Sequence, residues 1–207
     1  MHKRECRGPF QTSCPLVLAS GSPRRLEFLR NLGLEFRVVS SDVPEPPFDG
    51  EDPAAYALSM AESKGVFVAA MHPETWIVSA DTIVVTDRQV LGKPKTSEEA
   101  ASMLQSLSGR WHEVISAFCI MNQSRRKSYG KSVQSRVKFK KLTAAEIKSY
   151  VATGECMDKA GAYAVQGMGA FMIEKIQGSY TNVIGLPLCE LVDGLLYFGI
   201  ITPVFPG

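Results

Sequence analysis

The sequence predicts a mixed α/β fold in which a twisted sheet is flanked by helices. Short β-branched apolar runs alternate along the chain with amphipathic segments that carry helix start signals. The length of 207 residues, of which 45% are hydrophobic and 21% charged, fits one globular domain or two small lobes sharing a core. We predict a single domain over residues 15–207 and a flexible N-terminal extension over residues 1–14.

The first predicted unit is a strand, a tight turn and a helix. Residues 15–19 form a short apolar run between turn residues, which is typical of a buried strand. Ser22 can cap the following helix, Pro23 suits its first turn, and Gly33 closes it. The segment 36–39 is predicted as the next strand.

A second helix and a long strand follow. The Pro-rich stretch 44–50 is predicted as an exposed loop, and Asp52-Pro53 opens a helix that runs to about residue 70. Residues 76–85 are rich in β-branched side chains, but small polar residues interrupt the run. We therefore place Asp81, in this interruption, at a strand end.

The C-terminal half alternates in the same way. Two Thr-x-x-Glu patterns, at Thr96 and Thr143, predict helices that begin with capping boxes. The predicted elements are a helix from Thr96 to about residue 109, strands over 111–121 and 132–142 joined by a turn over 123–130, a helix from Thr143 to Gly154, a glycine-rich segment over 158–169, a strand over 171–176, and a helix that begins at Pro187.

Charge and hydropathy limit the classes of function. The formal net charge is +2, so no global field favours nucleic acid or membrane surfaces. No run of 18 apolar residues occurs, and the N-terminal residues lack a signal-peptide core. The five cysteines show no C-x-x-C spacing and the three histidines are scattered, which argues against a disulfide framework and a zinc site. We predict a cytoplasmic protein without a nucleic-acid or membrane partner.

An anion site is predicted where the first strand meets the first helix. Residues 19–25 form a small-residue turn into a helix N-terminus, whose free N–H groups favour an anion. Arg24 and Arg25 lie at this positive helix end, so an anionic ligand explains them better than helix stability does. The alternative is a solvated surface pair.

Two further segments carry chemically useful side chains. Asp81 lies within apolar sequence, and a carboxylate at the end of a core strand is where open α/β sheets place active groups. A turn cap is the alternative interpretation. The glycine-rich segment offers a charge, a ring and an amide in Asp158, Tyr163 and Gln166, and its alternative is a plain connector between lobes.

Two lysines complete a set of residues suited to triphosphate chemistry. Lys64 lies on the second predicted helix and Lys93 on a loop, and each alone is most simply a solvated lysine. Together with the arginines, acids and glycine-rich loop they meet the needs of nucleoside triphosphate hydrolysis. The substrate carries about four negative charges, and attack places more charge on the leaving pyrophosphate, so cations must stabilise it.

Six segments of the chain resemble motifs of the Maf family of nucleotide pyrophosphatases and occur in the family order. They are LASGSPRR (18–25), SADTIV (79–84), LGKP (91–94), TGECMDKAG (153–161), AYAVQG (162–167) and GLPL (185–188). The resemblance covers the chain from about residue 15 to the C-terminal helix. Six ordered motifs are far more specific than one.

The resemblance implies a fold like that of the inosine triphosphate pyrophosphatases, with two lobes around a central cleft. Family members are often dimeric, which leaves a homodimer open. By the same likeness, Asp81 is the proton acceptor that activates water, Glu45 is a second acidic site residue, and both hold a divalent cation, Mg²⁺ or Mn²⁺. The substrate phosphates are assigned to Ser20, Arg24, Arg25, Lys64 and Lys93.

The DKAGAY…Q form at 158–166 resembles the branch of the family that acts on dTTP and UTP. Arg24, Thr82 and Gln166 match the positions linked to that choice of base. A 7-methyl-GTP pyrophosphatase is one alternative. Another is a nucleotide-sensing regulator of cell division without turnover, which the presence of Asp81 disfavours.

Departures from the family pattern and a basic strand bear on these alternatives. Ser79, Ala164 and Ala170 stand where glycine is frequent, and we expect the two alanines to stiffen the base-side loop. The basic stretch 136–141 has only Phe139 available to stack on bases, so it is more typical of a solvated strand than of a nucleic-acid binder.

Overall fold

The structure is a computed structural model that describes residues 8–41, 43–50, 52–87 and 89–205. The strands are β1 (Phe10–Thr12), β2 (Leu16–Ala19), β3 (Arg37–Val38), β4 (Trp76–Thr86), β5 (Gln89–Leu91), β6 (Trp111–Asn122), β7 (Lys127–Phe139), β8 (Ile173–Gln177) and β9 (Ile201–Pro203). The helices are α1 (Pro23–Asn31), α2 (Pro53–Met71), α3 (Ser97–Leu107), α4 (Ala144–Ala152), α5 (Tyr180–Ile184) and α6 (Leu188–Tyr197). Two 3₁₀ turns, Ala160–Ala162 and Met168–Met172, lie between α4 and β8.

The main sheet has seven strands and is mixed. Its order is β3-β2-β4-β6-β7-β8, with β5 added to the end of β4, and a separate small sheet pairs β1 with β9. β2 is parallel to β4 and to β3, whereas β5, β6, β7 and β8 join antiparallel. The structure confirms the predicted mixed α/β fold with a flanked sheet.

One face of β4 packs into two hydrophobic cores in turn. On one face, Val78 and Ala80 pack into a core with α1 and α6, whereas Val84 packs into a core with α3 and α4. On the other face, Ile83 and Val85 pack against α2. The face shared by the two cores therefore changes from one to the other at Thr82, which gives the fold two lobes.

α2 approaches the sheet closely at one point. A Cβ added to Gly65 would lie 2.7 Å from Ser79 Oγ, so the helix needs glycine there. The buried Ser79 hydroxyl donates a hydrogen bond of 2.6 Å to the Ala61 carbonyl. The resemblance implies glycine at position 79. Ser79 is accommodated there because the helix provides both the space and an acceptor.

Helix starts largely follow their sequence signals. Thr143 and Glu146 form both bonds of a capping box, as predicted. At Thr96 only half of the box forms, because the Glu99 carboxylate accepts from the Lys95 N–H at 2.7 Å instead. The helix itself begins at Ser97 as expected.

Several segments differ from the sequence prediction. Phe10–Thr12, predicted as part of a flexible extension, forms β1 against β9, while residues 1–7 lie outside the described ranges. Neither β9 nor the short helix α5 was predicted. The turn between β6 and β7 is tighter than predicted, since Asn122 already pairs with Lys127. The single-domain assignment stays a prediction.

Asp81 does not lie at a strand end. It is in the middle of β4, where its backbone pairs with Ala117 of β6. The prediction was wrong because polar residues in a strand do not end it when a neighbouring strand continues the hydrogen-bond ladder.

Two further features concern the membrane and disulfide predictions. In the described residues, no helix combines the length and apolar character needed to cross a membrane. The cysteines at 14, 119, 156 and 189 are free thiols, and Cys6 lies outside the described part of the chain.

Candidate active site

The floor of the site is a short open stretch of β4. The pairing of β2 with β4 ends at Ala19 opposite Ser79, and the pairing of β5 begins only at Val84. Between these points one edge of β4 has no neighbouring strand in the described sheet, and Asp81 and Thr82 lie there. The gap between two strands on the same edge is the physical origin of the cleft.

Lys64 joins the two predicted acidic residues. Its ammonium lies 2.6 Å from Asp81 Oδ1 and 2.6 Å from Glu45 Oε1. Lys64 and Asp81 are largely buried, with side chains 14% and 13% exposed, whereas Glu45 is 58% exposed. Burial opposes the charge of Lys64, but the two carboxylates outweigh it and raise the pKa of Lys64 above its usual value.

Arg25 is bound to the protein rather than free in the cleft. It donates to the Gly185 carbonyl (2.8 Å), the Ala80 carbonyl (2.7 Å), Ser20 Oγ (3.2 Å) and Thr82 Oγ1 (3.0 Å). These bonds use four of the five guanidinium N–H groups. Burial is the main cause of the lowered pKa of Arg25. Arg25 therefore connects α1, β4 and the segment after α5, and its predicted contact with phosphate is left to one N–H.

The other predicted cationic groups have more freedom. Arg24 donates a 3.3 Å hydrogen bond to the Ile184 carbonyl, and its guanidinium lies 3.9 Å from the Asp158 carboxylate across the cleft. Lys93 is exposed on the loop after β5, where the Gly92 carbonyl accepts from the Gly161 N–H at 3.0 Å. Both side chains can thus turn towards an anion in the cleft.

Thr82 is held by a buried polar network. Its hydroxyl lies 2.8 Å from Ser116 Oγ, and Ser116 in turn bonds to the Asn182 backbone and side chain. The Asn182 amide also donates to the Val114 carbonyl and to Ser135 Oγ. Because Asn182 has no exposed surface and its amide group makes three bonds, it fixes α5 against β6 and β7.

Gln166 lies on an exposed loop that faces the cleft. Glu155 braces this loop, since its carboxylate accepts from the Met168 N–H (3.0 Å) and the Gly169 N–H (2.9 Å). Within the described residues, the Gln166 side chain has no hydrogen-bond partner. Its amide is therefore available to a ligand.

One cleft of about 500 Å³ collects all the residues predicted for the site. The predicted residues that line it are Ser20, Arg24, Arg25, Glu45, Lys64, Asp81, Thr82, Lys93 and Gln166. Tyr163, Asp158 and Lys159 of the glycine-rich segment line it as well. Residues far apart in sequence thus meet at the seam between the lobes, as the resemblance implied.

The carboxylate pair suits a hard divalent cation. Glu45 and Asp81 both place an oxygen on one ammonium, so a single point in the cleft already favours positive charge. Over the described residues, no group of three or more His, Cys, Asp or Glu side chains is positioned to hold a metal. Mg²⁺ does not need such a group, because it commonly binds through one or two carboxylates, substrate phosphates and water.

Sequence reasoning missed Glu155 and Asn182 as residues that shape the site. Glu155 lies within the quoted TGECMDKAG segment, but nothing in the sequence shows that its carboxylate meets amides 13 and 14 residues further on. Asn182 follows the possible helix cap Ser179, a signal that could have predicted α5. Its partners on β6 and β7 could not be predicted from local pattern.

A cleft that joins two carboxylates to several cations between two lobes defines a site for a polyphosphate anion. Residues 15–198 match the family described as Maf-like protein, and the chain belongs to this family. A protein of Geobacter metallireducens named dTTP/UTP pyrophosphatase is 51% identical over 89% of this chain and 96% of its own length. One of the same name from Desulfotalea psychrophila is 47% identical over 93% of this chain and 99% of its own.

Solved structures give weaker matches. The HAM1 protein of Coxiella burnetii is 15% identical, with a TM-score of 0.46 over 89% of this chain and 99% of that one. A dITP/XTP pyrophosphatase of Mycobacterium abscessus is 14% identical, with a TM-score of 0.43 over 89% and 95%. At TM-scores below 0.5, these likenesses add nothing to the assignment.

Proposed function

We propose that the protein is a nucleoside triphosphate pyrophosphatase that hydrolyses dTTP and UTP to the monophosphate and pyrophosphate. The observation that carries the proposal is the position of Asp81, a mostly buried carboxylate on the floor of a cleft lined with cations. The names of the relatives that match most of the chain at 47% and 51% identity support the same reaction and substrates.

Asp81 is proposed to accept the proton of the attacking water. A general base must lie within hydrogen-bond reach of the water, and the Asp81 carboxylate, 13% exposed, lines the cleft. Attack at the α phosphorus requires the β and γ phosphates to be held on the leaving side. Arg24, Lys64 and Lys93 are the cations proposed to hold them, with Ser20 and the free N–H of Arg25 beside them.

Glu45 and Asp81 are proposed to hold Mg²⁺ or Mn²⁺ together with the substrate. The bound cation supplies charge neutralisation and a lowered pKa for water. The ammonium of Lys64 must then give up at least one of its two carboxylates. Released from Glu45, Lys64 is placed to contact phosphate while it still faces Asp81.

Base choice is proposed to depend on Gln166, Thr82 and Arg24. The primary amide of Gln166 can pair its acceptor and donor with N3–H and a carbonyl of thymine or uracil. Cytosine lacks the N3 proton and replaces one carbonyl with an amino group, so the same pairing leaves polar groups unsatisfied. Arg24 and Thr82 are proposed to contribute from the end of α5, where Arg24 donates to the Ile184 carbonyl and Thr82 to the Gly185 carbonyl, each at 3.3 Å.

The experiment is a product analysis with a nucleotide panel. We expect dTTP to give dTMP and pyrophosphate, UTP to react comparably, CTP to react poorly and purine triphosphates worse. Release of orthophosphate and dTDP would contradict the proposed attack on the α phosphorus. Preference for 7-methyl-GTP would contradict the base assignment alone, and binding of dTTP without any turnover would favour the sensor alternative.

A cytoplasmic location and a homodimer stay predictions. The free thiols support the first, and the resemblance to a family that is often dimeric supports the second. Size-exclusion chromatography with light scattering would decide the oligomeric state.

A further inference from the structure

The loop that carries Gln166 is held by one carboxylate. Glu155 Oε1 accepts from the Met168 N–H at 3.0 Å and Oε2 accepts from the Gly169 N–H at 2.9 Å. The Tyr150 hydroxyl helps to lower the pKa of this carboxylate and accepts from the Ala164 N–H at 3.2 Å. We call this set, Glu155 with Tyr150 and the amides of 164, 168 and 169, the Glu155 clasp.

The clasp holds the chain on both sides of Gln166. Ala164 is tied through Tyr150, and Met168 and Gly169 are tied directly, so Gln166 lies exposed between two fixed points. Tyr150 is itself 3% exposed on α4, which makes the anchor part of the core of that lobe. The loop position is therefore set by the lobe and not by the ligand.

The backbone at Gly167 fits the clasp closely. Gly167 has φ of +99°, and a Cβ added there would lie 2.2 Å from Glu155 Oε1. Only glycine allows both this φ and this approach of the carboxylate. The carboxylate keeps its charge in this position: burial opposes ionisation, but the Met168 and Gly169 amides and the Tyr150 hydroxyl lower the pKa of Glu155.

We propose that Glu155 is a positioning residue for base selection, because its carboxylate fixes the loop that presents the Gln166 amide to the pyrimidine. This inference rests on the proposed function and extends it. A loosely held amide can still meet a base, but it can adapt to cytosine as readily as to thymine. Because the loop is held before the substrate binds, the Gln166 amide cannot shift to suit cytosine. The polar groups left unpaired then weaken the binding of cytosine relative to thymine.

The test compares Glu155→Gln with Glu146→Gln. Glutamine keeps the size of Glu155 but provides one acceptor oxygen, so one of the two loop amides loses its partner. Glu146 is the matched control, since its carboxylate also accepts from a backbone N–H, that of Thr143, but at the other end of α4. Any general effect of neutralising a carboxylate that accepts from backbone N–H groups in this lobe appears in both variants.

We expect Glu155→Gln to lower the dTTP to CTP ratio of kcat/KM by about tenfold, mainly through a higher KM for dTTP. Glu146→Gln should leave that ratio within about twofold of the parent. The double variant Glu155→Gln with Gln166→Ala should discriminate no worse than Gln166→Ala alone, because Glu155 acts through Gln166. An unchanged ratio in Glu155→Gln, or full additivity in the double variant, would overturn the inference.

A second measurement does not depend on activity. Amide hydrogen exchange over residues 163–172 should become faster in Glu155→Gln and in Gly167→Ala, but not in Glu146→Gln. Unchanged exchange in all three variants would show that Glu155 does not hold the loop. If the parent releases no pyrophosphate from dTTP, the proposed function fails. If the parent prefers dTTP to CTP and Glu155→Gln keeps the same preference, only this inference fails.

Discussion

Lys64 and Asp81 form a mostly buried ion pair in which the ammonium lies 2.6 Å from the carboxylate. The pair joins α2 to the middle of β4 and places the candidate base next to a permanent positive charge. Glu45 shares the same ammonium from a more exposed position. The candidate base, a candidate metal ligand and a candidate phosphate ligand are thus one connected group.

Asp81→Asn should lower the rate of pyrophosphate release by about 10²- to 10⁴-fold, because the amide cannot accept the proton of water. The amide keeps the shape of the side chain, so dTTP binding and the unfolding transition should stay measurable. Asp87→Asn is the control, since Asp87 is a surface carboxylate after the same strand, paired with Arg110. Activity near that of the parent in Asp81→Asn would remove Asp81 from the mechanism.

Hydrolysis should stop in EDTA and return with Mg²⁺ or Mn²⁺. Glu45→Gln should raise the Mg²⁺ concentration needed for half-maximal rate, because one of the two proposed carboxylate ligands loses its charge. Glu74→Gln, a change at an exposed residue bonded to Ser124, should not shift this concentration. Full activity in chelator would contradict the proposed metal.

The adjacent arginines should differ in what they support. Arg25→Gln should lower the free energy of unfolding by about 2–4 kcal/mol, because the buried Ala80 carbonyl and the Gly185 carbonyl lose a donor. Arg24→Gln should mainly raise the KM for dTTP and change stability by less than about 1 kcal/mol. Urea unfolding and steady-state kinetics on both variants measure the contrast, and equal loss of stability would refute it.

Gln166→Ala should reduce the preference for dTTP over CTP more than it reduces the best rate. The loss of one matched amide corresponds to about 1–3 kcal/mol, or roughly tenfold to a hundredfold in the ratio. Gln105→Ala, at an exposed position of α3, is the matched control. A parental ratio in Gln166→Ala would assign base choice to other residues.

His112 should make stability fall in mild acid. It is buried against Phe139 and Tyr163, and burial lowers its pKa from 6.5 to about 4. Between pH 6.5 and 4, His112 is protonated in the unfolded chain but stays neutral in the folded chain. The free energy of unfolding therefore falls as the pH falls from 6.5 towards 4. The folded and unfolded pKa values of His112 differ by about 2.5, and at about 1.4 kcal/mol per unit the loss of stability amounts to about 3–4 kcal/mol.

The comparison is with His112→Gln, which cannot titrate. Chemical unfolding at several pH values between 7 and 4 should show a shallower acid-dependent loss in His112→Gln than in the parent. Parallel profiles for the two proteins would contradict the assignment of this titration to His112.

Local signals were sufficient for most of the fold. The start of α2 at Asp52-Pro53 and the capping box at Thr143 depend on neighbours in sequence, and both formed as predicted. The continuation of β4 past Asp81 depends on β6, and the binding of Arg25 depends on carbonyls 55 and 160 residues away. Such partners are created by the tertiary fold, so no pattern within the chain could reveal them.

The site residues were predictable in identity but not in arrangement. The six motifs contain Asp81 and Gln166, Lys64 was predicted separately from its place on the second helix, and the cleft contains all three. That Lys64 bridges two acids, and that Glu155 rather than Gln166 supports the loop, depends on distances that only the folded chain provides.

The continuity of β4 through both cores has a mechanical consequence. The backbone pairing of β4 with β6 is unbroken from Ile77 to Val85, so the strand has no flexible point at Asp81 about which the two lobes could bend. Adjustment to a substrate must then come from the walls of the cleft: the segment that bears Glu45, the loop that bears Lys93 and the long arginine and lysine side chains. Asp81, the proposed base, stays in place on β4 while the cationic side chains around it adjust. The position of the attacking water relative to Asp81 is therefore the same for different nucleotides.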